Sequence, residues 1–297
     1  MMNDPNPKQH RRRWWLVLAG MLAFALFAPR LAPLADVSTS QIAPPIGDQQ
    51  EGIYEMNAGN STATMDITSM WGGDWFTKSL TFALFDDLAL FEGDIALHTD
   101  SLTVGGLGVN RTSLLWKDGL VPYEIDPKLP AQNRVFDAIA HWEANTSIRF
   151  VQRTPQNANQ YPNYVYFQPA SGCWSYVGMV GGKQPLGLAL GCGTGSTIHE
   201  IGHVVGLWHE QSRADRDKHV QIHFENIVSG MEHNFTQHIA DGQDLGAYDY
   251  ESIMHYPRWA FSKNGKDTIV PIQDIAIGQR SVLSEGDIAA VESLYKR

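Results

Sequence analysis

Residues 199–217 read HEIGHVVGLWHEQSRADRD, with histidines at positions 199, 203 and 209. On a helix of 3.6 residues per turn, His199 and His203 lie one turn apart on a common face, whereas Glu200 is rotated by about 100°. Two imidazoles so placed can share one ion. The spacing predicts a helix over 194–206 that stops at Gly206, after which the chain swings round and brings His209 to the same point from below.

Working outward, the flanking sequence reads as a domain. "LVPYEI" at 120–125 predicts a strand, and 131–144 a helix whose Val135, Ile139 and Trp142 fall at i, i+4 and i+7. Further strands are expected at about 147–153, 164–168, 174–179 and 187–192, giving a sheet that precedes the histidine helix. Ser284 with Asp287 three residues later marks the start of a last helix, with Ile288, Val291 and Leu294 as its apolar face. Upstream, 36 to about 70 is rich in Ser, Thr, Pro, Asn and Gly and reads as a loosely ordered arm. Aromatic residues return between Trp71 and Leu97, so that stretch can pack against the domain although it is too short for a core of its own. The glycine-rich "TVGGLGVN" at 103–110 is a flexible link open to proteases.

The 297 residues are 43% hydrophobic, enough for one large domain with appended segments. A net charge of -10 and a pI near 5.5 argue against nucleic acid as a partner, since such contact draws its affinity from clustered Lys and Arg. The amino terminus differs from the rest: "KQHRRRWW" is basic and Trp14–Ala28 is an almost unbroken apolar run ended by Pro29. This pattern reads as an export signal over 1–35, with an uncleaved membrane anchor as the alternative. Export makes the chain secreted or periplasmic. In an exported chain the two cysteines, Cys173 and Cys192, suggest one disulfide; two free buried thiols or metal ligands are the other readings. Asn60, Asn110, Asn145 and Asn234 begin N-x-Ser/Thr sequons, which matter only where the host glycosylates exported chains.

His-Glu-x-x-His arises by accident in about one or two sequences per hundred of this length and composition; adding Gly206 and His209 at their spacing lowers that below about one in ten thousand. Three neutral imidazoles leave a tetrahedral Zn2+ ion one open position for water, which suits catalysis rather than a closed structural site. Such an ion lowers the pKa of bound water to roughly 7 and polarises a carbonyl, while Glu200 takes the water's proton and passes it to a leaving amine. Peptide-bond hydrolysis is the natural reaction, with a peptide or protein as the partner.

The extended run His-Glu-x-x-His-x-x-Gly-x-x-His resembles the metzincin zinc proteases, and its continuation narrows the likeness to the astacin family. Glu210, Arg213, Asp215, Arg216 and Asp217 fill the places of that family's Glu…Arg-x-Asp-Arg-Asp. "SIMHY" at 252–256 is similar to its Met-turn. The resemblance implies that Met254 forms an apolar floor under the imidazoles. It also implies that Tyr256 ligates zinc in the resting enzyme and swings away to stabilise the oxyanion. "SGCWSYVG" at 171–178 resembles the segment beside an open sheet edge that accepts extended substrate as an added strand, and Cys173 and Cys192 fit one family disulfide. The family's second bridge, to the C-terminal end, has no cysteines here. "FEGD" at 91–94 is similar to the inhibitory element of astacin pro-segments, which implies that Asp94 is the zymogen switch. By the same likeness, trimming near Gly106–Gly108, by the enzyme or an activating protease, buries a new amino terminus against Glu210.

The expectation is therefore an α+β fold: a mixed sheet and zinc helix in an upper half, and an irregular lower half with the Met-turn and a C-terminal helix. Residues 1–35 are the signal, 36–106 the pro-segment and 107–297 the catalytic domain. The expected function is that of a latent zinc endopeptidase with one zinc per chain. The rivals are a catalytically weak zinc-holding peptide-binding module and a metal hydrolase of non-peptide substrates.

Overall fold

The computed structural model describes residues 61–71, 74–85, 88–97, 114–238 and 242–295, all within one unit spanning Asp48–Arg297. The expected signal over 1–35, the glycine-rich link, the expected trimming site and the sequons at Asn60 and Asn110 lie outside the described residues. Among the described residues no helix is long and apolar enough to cross a membrane.

Strands β5 (Leu120–Ile125), β6 (Arg149–Gln152), β7 (Tyr164–Pro169) and β8 (Lys183–Leu188) form a parallel sheet in the order β6-β5-β7-β8. Parallel strands buried on both faces need apolar side chains throughout, and Val121, Val165, Phe167, Leu186 and Leu188 supply them. Helix α1 (Asn133–Asn145) buries Val135, Ile139 and Trp142, the expected stripe, against helix α2 (Thr194–Val204). The indole of Trp142 ties the two helices by donating to the Ile198 carbonyl at 3.1 Å. The architecture is α+β, as the sequence implies.

Two strand expectations need correction. The strand placed at 187–192 lies at 183–188, because the chain leaves the sheet at Ala189 and turns towards the Cys173–Cys192 disulfide and the start of α2. The strand placed at 174–179 reduces to bridges: Trp174 exchanges backbone hydrogen bonds with Gly187 of β8 at 3.1 and 2.9 Å, and the chain then bends away. The disulfide links both ends of this stretch, with S–S 2.05 Å.

A third correction concerns the arm. Residues 61–71 are not loosely ordered but form β1 (Ser61–Trp71), paired along its whole length with β2 (Asp74–Phe85). Only Gly72 and Gly73 separate the paired Trp71 and Asp74, which is hairpin composition, and Thr along both strands, with Ile67 in β1, favours extended backbone. Strands β3 (Leu88–Phe91) and β4 (Ile95–Leu97) complete an antiparallel sheet in the order β1-β2-β3-β4. This sheet meets the domain at Ser175. Ala96 N–H donates to Ser175 O at 2.8 Å and Ser175 N–H to Asp94 O at 2.9 Å, so the open edge beyond β8 takes residues 94–96 as its added strand.

The lower half has little regular structure. A two-stranded pairing of β9 (Val220–Ile222) with β10 (Ile269–Pro271) covers a core of Ile227, Phe235, Tyr256 and Phe261. Helix α3 (Glu285–Tyr295) closes the chain with the expected cap: Asp287 N–H donates to Ser284 Oγ at 2.9 Å, and Ser284 N–H to Asp287 Oδ2 at 3.0 Å. Asp287 also accepts from Ser252 Oγ at 2.6 Å and Ile253 N–H at 2.9 Å, while Tyr295 Oη donates to Val205 O at 3.2 Å. These contacts fasten α3 where the second family bridge is missing.

Helix α2 ends one turn before His209, and Gly206 takes φ 104°, a region that side chains with a Cβ rarely enter. Gly206→Ala should cost on the order of 1–2 kcal/mol in backbone strain. It should also release metal during dialysis, because the turn aims His209. Gly230→Ala, at φ 90° in an exposed turn, should lower the melting temperature comparably and leave metal content unchanged. Unchanged metal content in both would separate the turn from the site.

Candidate active site

The sequence brings three rings together by different means. His199 and His203 project from one face of α2, and His209 arrives after the Gly206 turn; all three are 0–1% exposed. Their ring centroids lie 4.7–5.3 Å apart. Each outer nitrogen faces an oxygen. His199 Nδ1 lies 2.8 Å from Ile253 O, His203 Nδ1 2.9 Å from Leu207 O, and His209 Nδ1 2.8 Å from a Glu92 carboxylate oxygen. Carbonyl and carboxylate oxygens only accept, so each Nδ1 carries a hydrogen and each Nε2 is left to face inward.

A carboxylate fills the point on which the three Nε2 atoms converge. Asp94 Oδ2 is 3.3 Å from His199 Nε2 and 3.2 Å from His209 Nε2, and Oδ1 is 3.6 Å from His203 Nε2. The four candidate ligand atoms lie within 4.8 Å of one another. Asp94 Oδ1 and His203 Nε2, both deeply buried, have no hydrogen-bond partner. Burial works against ionisation of Asp94, yet the charge of His209 and the close contacts with the imidazoles hold its carboxyl well below the usual range. Glu92 behaves alike: burial opposes its charge, but His238 and His209 bring its carboxyl down to about 2. Burial also disfavours charge on His209, which Asp94 and Glu92 nevertheless raise to about 9. Two carboxylates buried against three rings call for positive charge at this point, supplied here by protonation of His209 and open to replacement by a cation among the rings. Three imidazole nitrogens, one carboxylate oxygen and two negative charges fit a tetrahedral divalent zinc ion.

The remaining candidates surround this point. Glu200 is fully buried on α2 beside His199, and Met254 packs beneath the helix, where a Cβ on Gly202 would come within 2.5 Å of its sulfur. The Tyr256 ring lies 4.6 Å from that of His209, and its hydroxyl donates to the backbone carbonyl of Glu92. In this arrangement Asp94, rather than Tyr256, is the fourth group among the histidines. Glu210 points elsewhere, into a cavity of about 70 Å³ that Asp249, Asp287 and Leu294 also line. Burial pushes its carboxyl up to about 8 against the opposing pull of Arg213 and the Asp249 N–H, which donates at 2.8 Å. Its expected partner, a terminus near Gly106–Gly108, lies outside the described residues.

The run after His209 has a structural role. Arg213 grips Asp215 with two hydrogen bonds, at 2.9 and 3.1 Å, and donates to the Gly246 carbonyl. Arg216 donates to the carbonyls of Gln211 and Phe235, and Gln211 Oε1 in turn accepts the Tyr256 N–H at 3.0 Å. Sequence reasoning missed Gln211, Ser212 and His238. It also missed Glu92, although that residue stands inside the quoted FEGD. A charged residue flanked by Phe91 and Gly93 was the available signal; nothing local marks His238.

Comparison with known proteins agrees with this geometry. The family model described as Astacin, a peptidase family, matches residues 108–296. Zinc metalloproteinase nas-13 of Caenorhabditis elegans is 40% identical over 243 residues, 74% of this chain and 52% of that protein. A Bone morphogenetic protein 1 homolog of Strongylocentrotus purpuratus is 43% identical over 199 residues, 63% of this chain and 31% of that protein. The chain thus spans about half, or less, of the length of these relatives. The solved hatching enzyme of the medaka Oryzias latipes, high choriolytic enzyme 1, a zinc-protease, superposes with a TM-score of 0.55 at 34% identity, covering 65% of this chain and 96% of that one. With this match across the described histidine cluster and the Met-turn, the chain belongs to the astacin family of zinc peptidases.

Proposed function

We propose that the protein is an exported zinc endopeptidase made in latent form, acting on peptide or protein substrates. One zinc is held by His199, His203 and His209, and Asp94 is its fourth ligand until the chain is trimmed. The observation that carries this reading is the Asp94 carboxylate lying 3.2–3.6 Å from all three Nε2 atoms, delivered by a strand on the edge that substrate would use. When bound, zinc supplies a Lewis acid for the scissile carbonyl and an acidified water.

The chain's own residues do the rest. With 94–96 withdrawn, the Ser175 backbone is open to pair with an extended peptide. Glu200 accepts the proton of the attacking water and hands it to the departing amine, which leaves only once protonated. The Tyr256 hydroxyl donates to Glu92 O in the latent chain, and the same donor is suited to the oxyanion of a tetrahedral intermediate, where one such hydrogen bond is worth a few kcal/mol. A phenolic oxygen is also a competent zinc ligand, so Tyr256 can hold the metal at rest after trimming and leave it for the oxyanion. The Glu210 cavity is suited to receive the new terminal ammonium, whose charge would offset the buried carboxyl.

The test is peptidase activity on a mixed peptide library with and without chelator, using the trimmed protein. Glu200→Gln should retain stoichiometric zinc and lose about 10²–10⁴-fold in kcat. Turnover at the parent rate would remove Glu200 from the mechanism, and chelator-resistant turnover would remove the metal.

Latency is tested on the untrimmed chain. Asp94→Ala should cleave peptide before trimming or trim itself faster. Unchanged latency would leave steric cover by residues 71–97 as the explanation.

A further inference from the structure

Residues 91–94 deliver two carboxylates into the cleft, and only one faces the Nε2 side of the histidines. The backbone turns sharply here, with φ 49° at Glu92 and φ 80° at Gly93. Glycine enters that region freely; glutamate rarely does, so something beyond the turn must hold Glu92 in it. Its side chain, 0% exposed, accepts from Ser212 Oγ at 2.6 Å, His238 Nε2 at 2.9 Å and His209 Nδ1 at 2.8 Å. The neighbouring Phe91 ring meets His238 and Trp208 edge-on at 5.7 and 6.4 Å, and Trp208 lies against His238 at 4.4 Å.

We infer that Ser212, His238 and the outer nitrogen of His209 form a carboxylate-binding cradle, occupied by Glu92 of the same chain, that seats the upstream segment in the cleft without help from the metal. The inference deepens the latency reading and rests on it for the purpose of the cradle. The chemistry of the two carboxylates differs. Asp94 has only the three inward nitrogens for company, and its Oδ1 lacks a hydrogen-bond partner, so its hold depends on positive charge held among the rings. Glu92 has three donors of its own from the protein. Both its oxygens are satisfied, which a buried charge requires and a neutral amide could not match, since its NH2 would face donors. Two of the three donors, Ser212 and His238, belong to no metal-site motif. Asp94 thus blocks the metal, while Glu92 holds the blocking segment in place.

Hydrogen exchange of the full-length chain tests this, on a Glu200→Gln background to prevent self-trimming, with zinc bound and after removal by chelator. The readout is the peptide covering 91–97, whose Ala96 N–H donates to Ser175 O; peptides from β5 and α2 report whether the domain stays folded. The zinc-free parent and zinc-free Asp94→Ala should keep protection at 91–97 within about threefold of the zinc-bound parent, whereas Glu92→Ala should exchange there at least about tenfold faster with or without zinc. The pair Ser212→Ala and His238→Ala, made together, should reproduce the Glu92→Ala result from the other side, and decides the matter if Glu92→Ala disturbs β5. Loss of protection in the zinc-free parent, or in Asp94→Ala to the extent seen in Glu92→Ala, would overturn the inference, as would undisturbed protection in Glu92→Ala. Failure of the latency reading shows separately, in the peptidase rate of untrimmed Asp94→Ala.

Discussion

Three imidazoles converge on one point only because each outer nitrogen is given a fixed acceptor. For His199 that acceptor is the Ile253 carbonyl of the Met-turn, for His203 the Leu207 carbonyl after the helix, and for His209 the Glu92 carboxylate. Each contact fixes a ring plane and turns an Nε2 inward, so the three nitrogens needed for a metal are aimed before any metal arrives, and on His209 a metal takes the place of a proton. Much of the lower half serves these acceptors. Asp287 holds Ser252 and Ile253, and thereby the carbonyl under His199; Arg280 donates to the same Ile253 carbonyl at 2.8 Å and to His255 O at 2.9 Å. A residue near the end of the chain thus helps to aim a ring on the zinc helix.

The third histidine is treated differently from the other two. The acceptors of His199 and His203 come from the domain's own backbone, whereas that of His209 comes from the segment that the proposed trimming removes. On the proposed reading, the untrimmed chain is therefore more than a finished enzyme with its water displaced. Its metal site, its Tyr256 hydroxyl and its substrate edge all rest on residues 92–96: Glu92 side chain and carbonyl, Asp94 carboxylate, and the backbone pairing at Ser175. Removing that segment frees all of these groups together. Under the proposed latency, a single proteolytic event then acts as a switch.

How much of this was legible depended on how local the signal was. The histidine helix, its stop at Gly206, the α1 stripe and the Ser284–Asp287 cap are set by spacing within a few residues, and the chain shows them openly. The hairpin β1–β2 was hidden because Ser, Thr and Gly composition reads as an arm until its partner strand is known, and pairing lies between segments rather than within one. The shortened strand after Cys173 is governed by a disulfide and a sheet edge, both tertiary. His238 could not be found at all: it reaches Glu92 across 146 residues of sequence, and neither neighbour marks it. Motifs named the residues that would touch the metal, while the groups that aim them were visible only in three dimensions.

The central claim is that three histidines and Asp94 share one zinc in the untrimmed chain. Anomalous diffraction at the zinc edge, from crystals of full-length Glu200→Gln protein, measures it directly. The account predicts a single peak per chain, within about 2.0–2.2 Å of the Nε2 atoms of His199, His203 and His209 and of an Asp94 carboxylate oxygen. A peak elsewhere, or zinc on the histidines with water in place of Asp94, would contradict it.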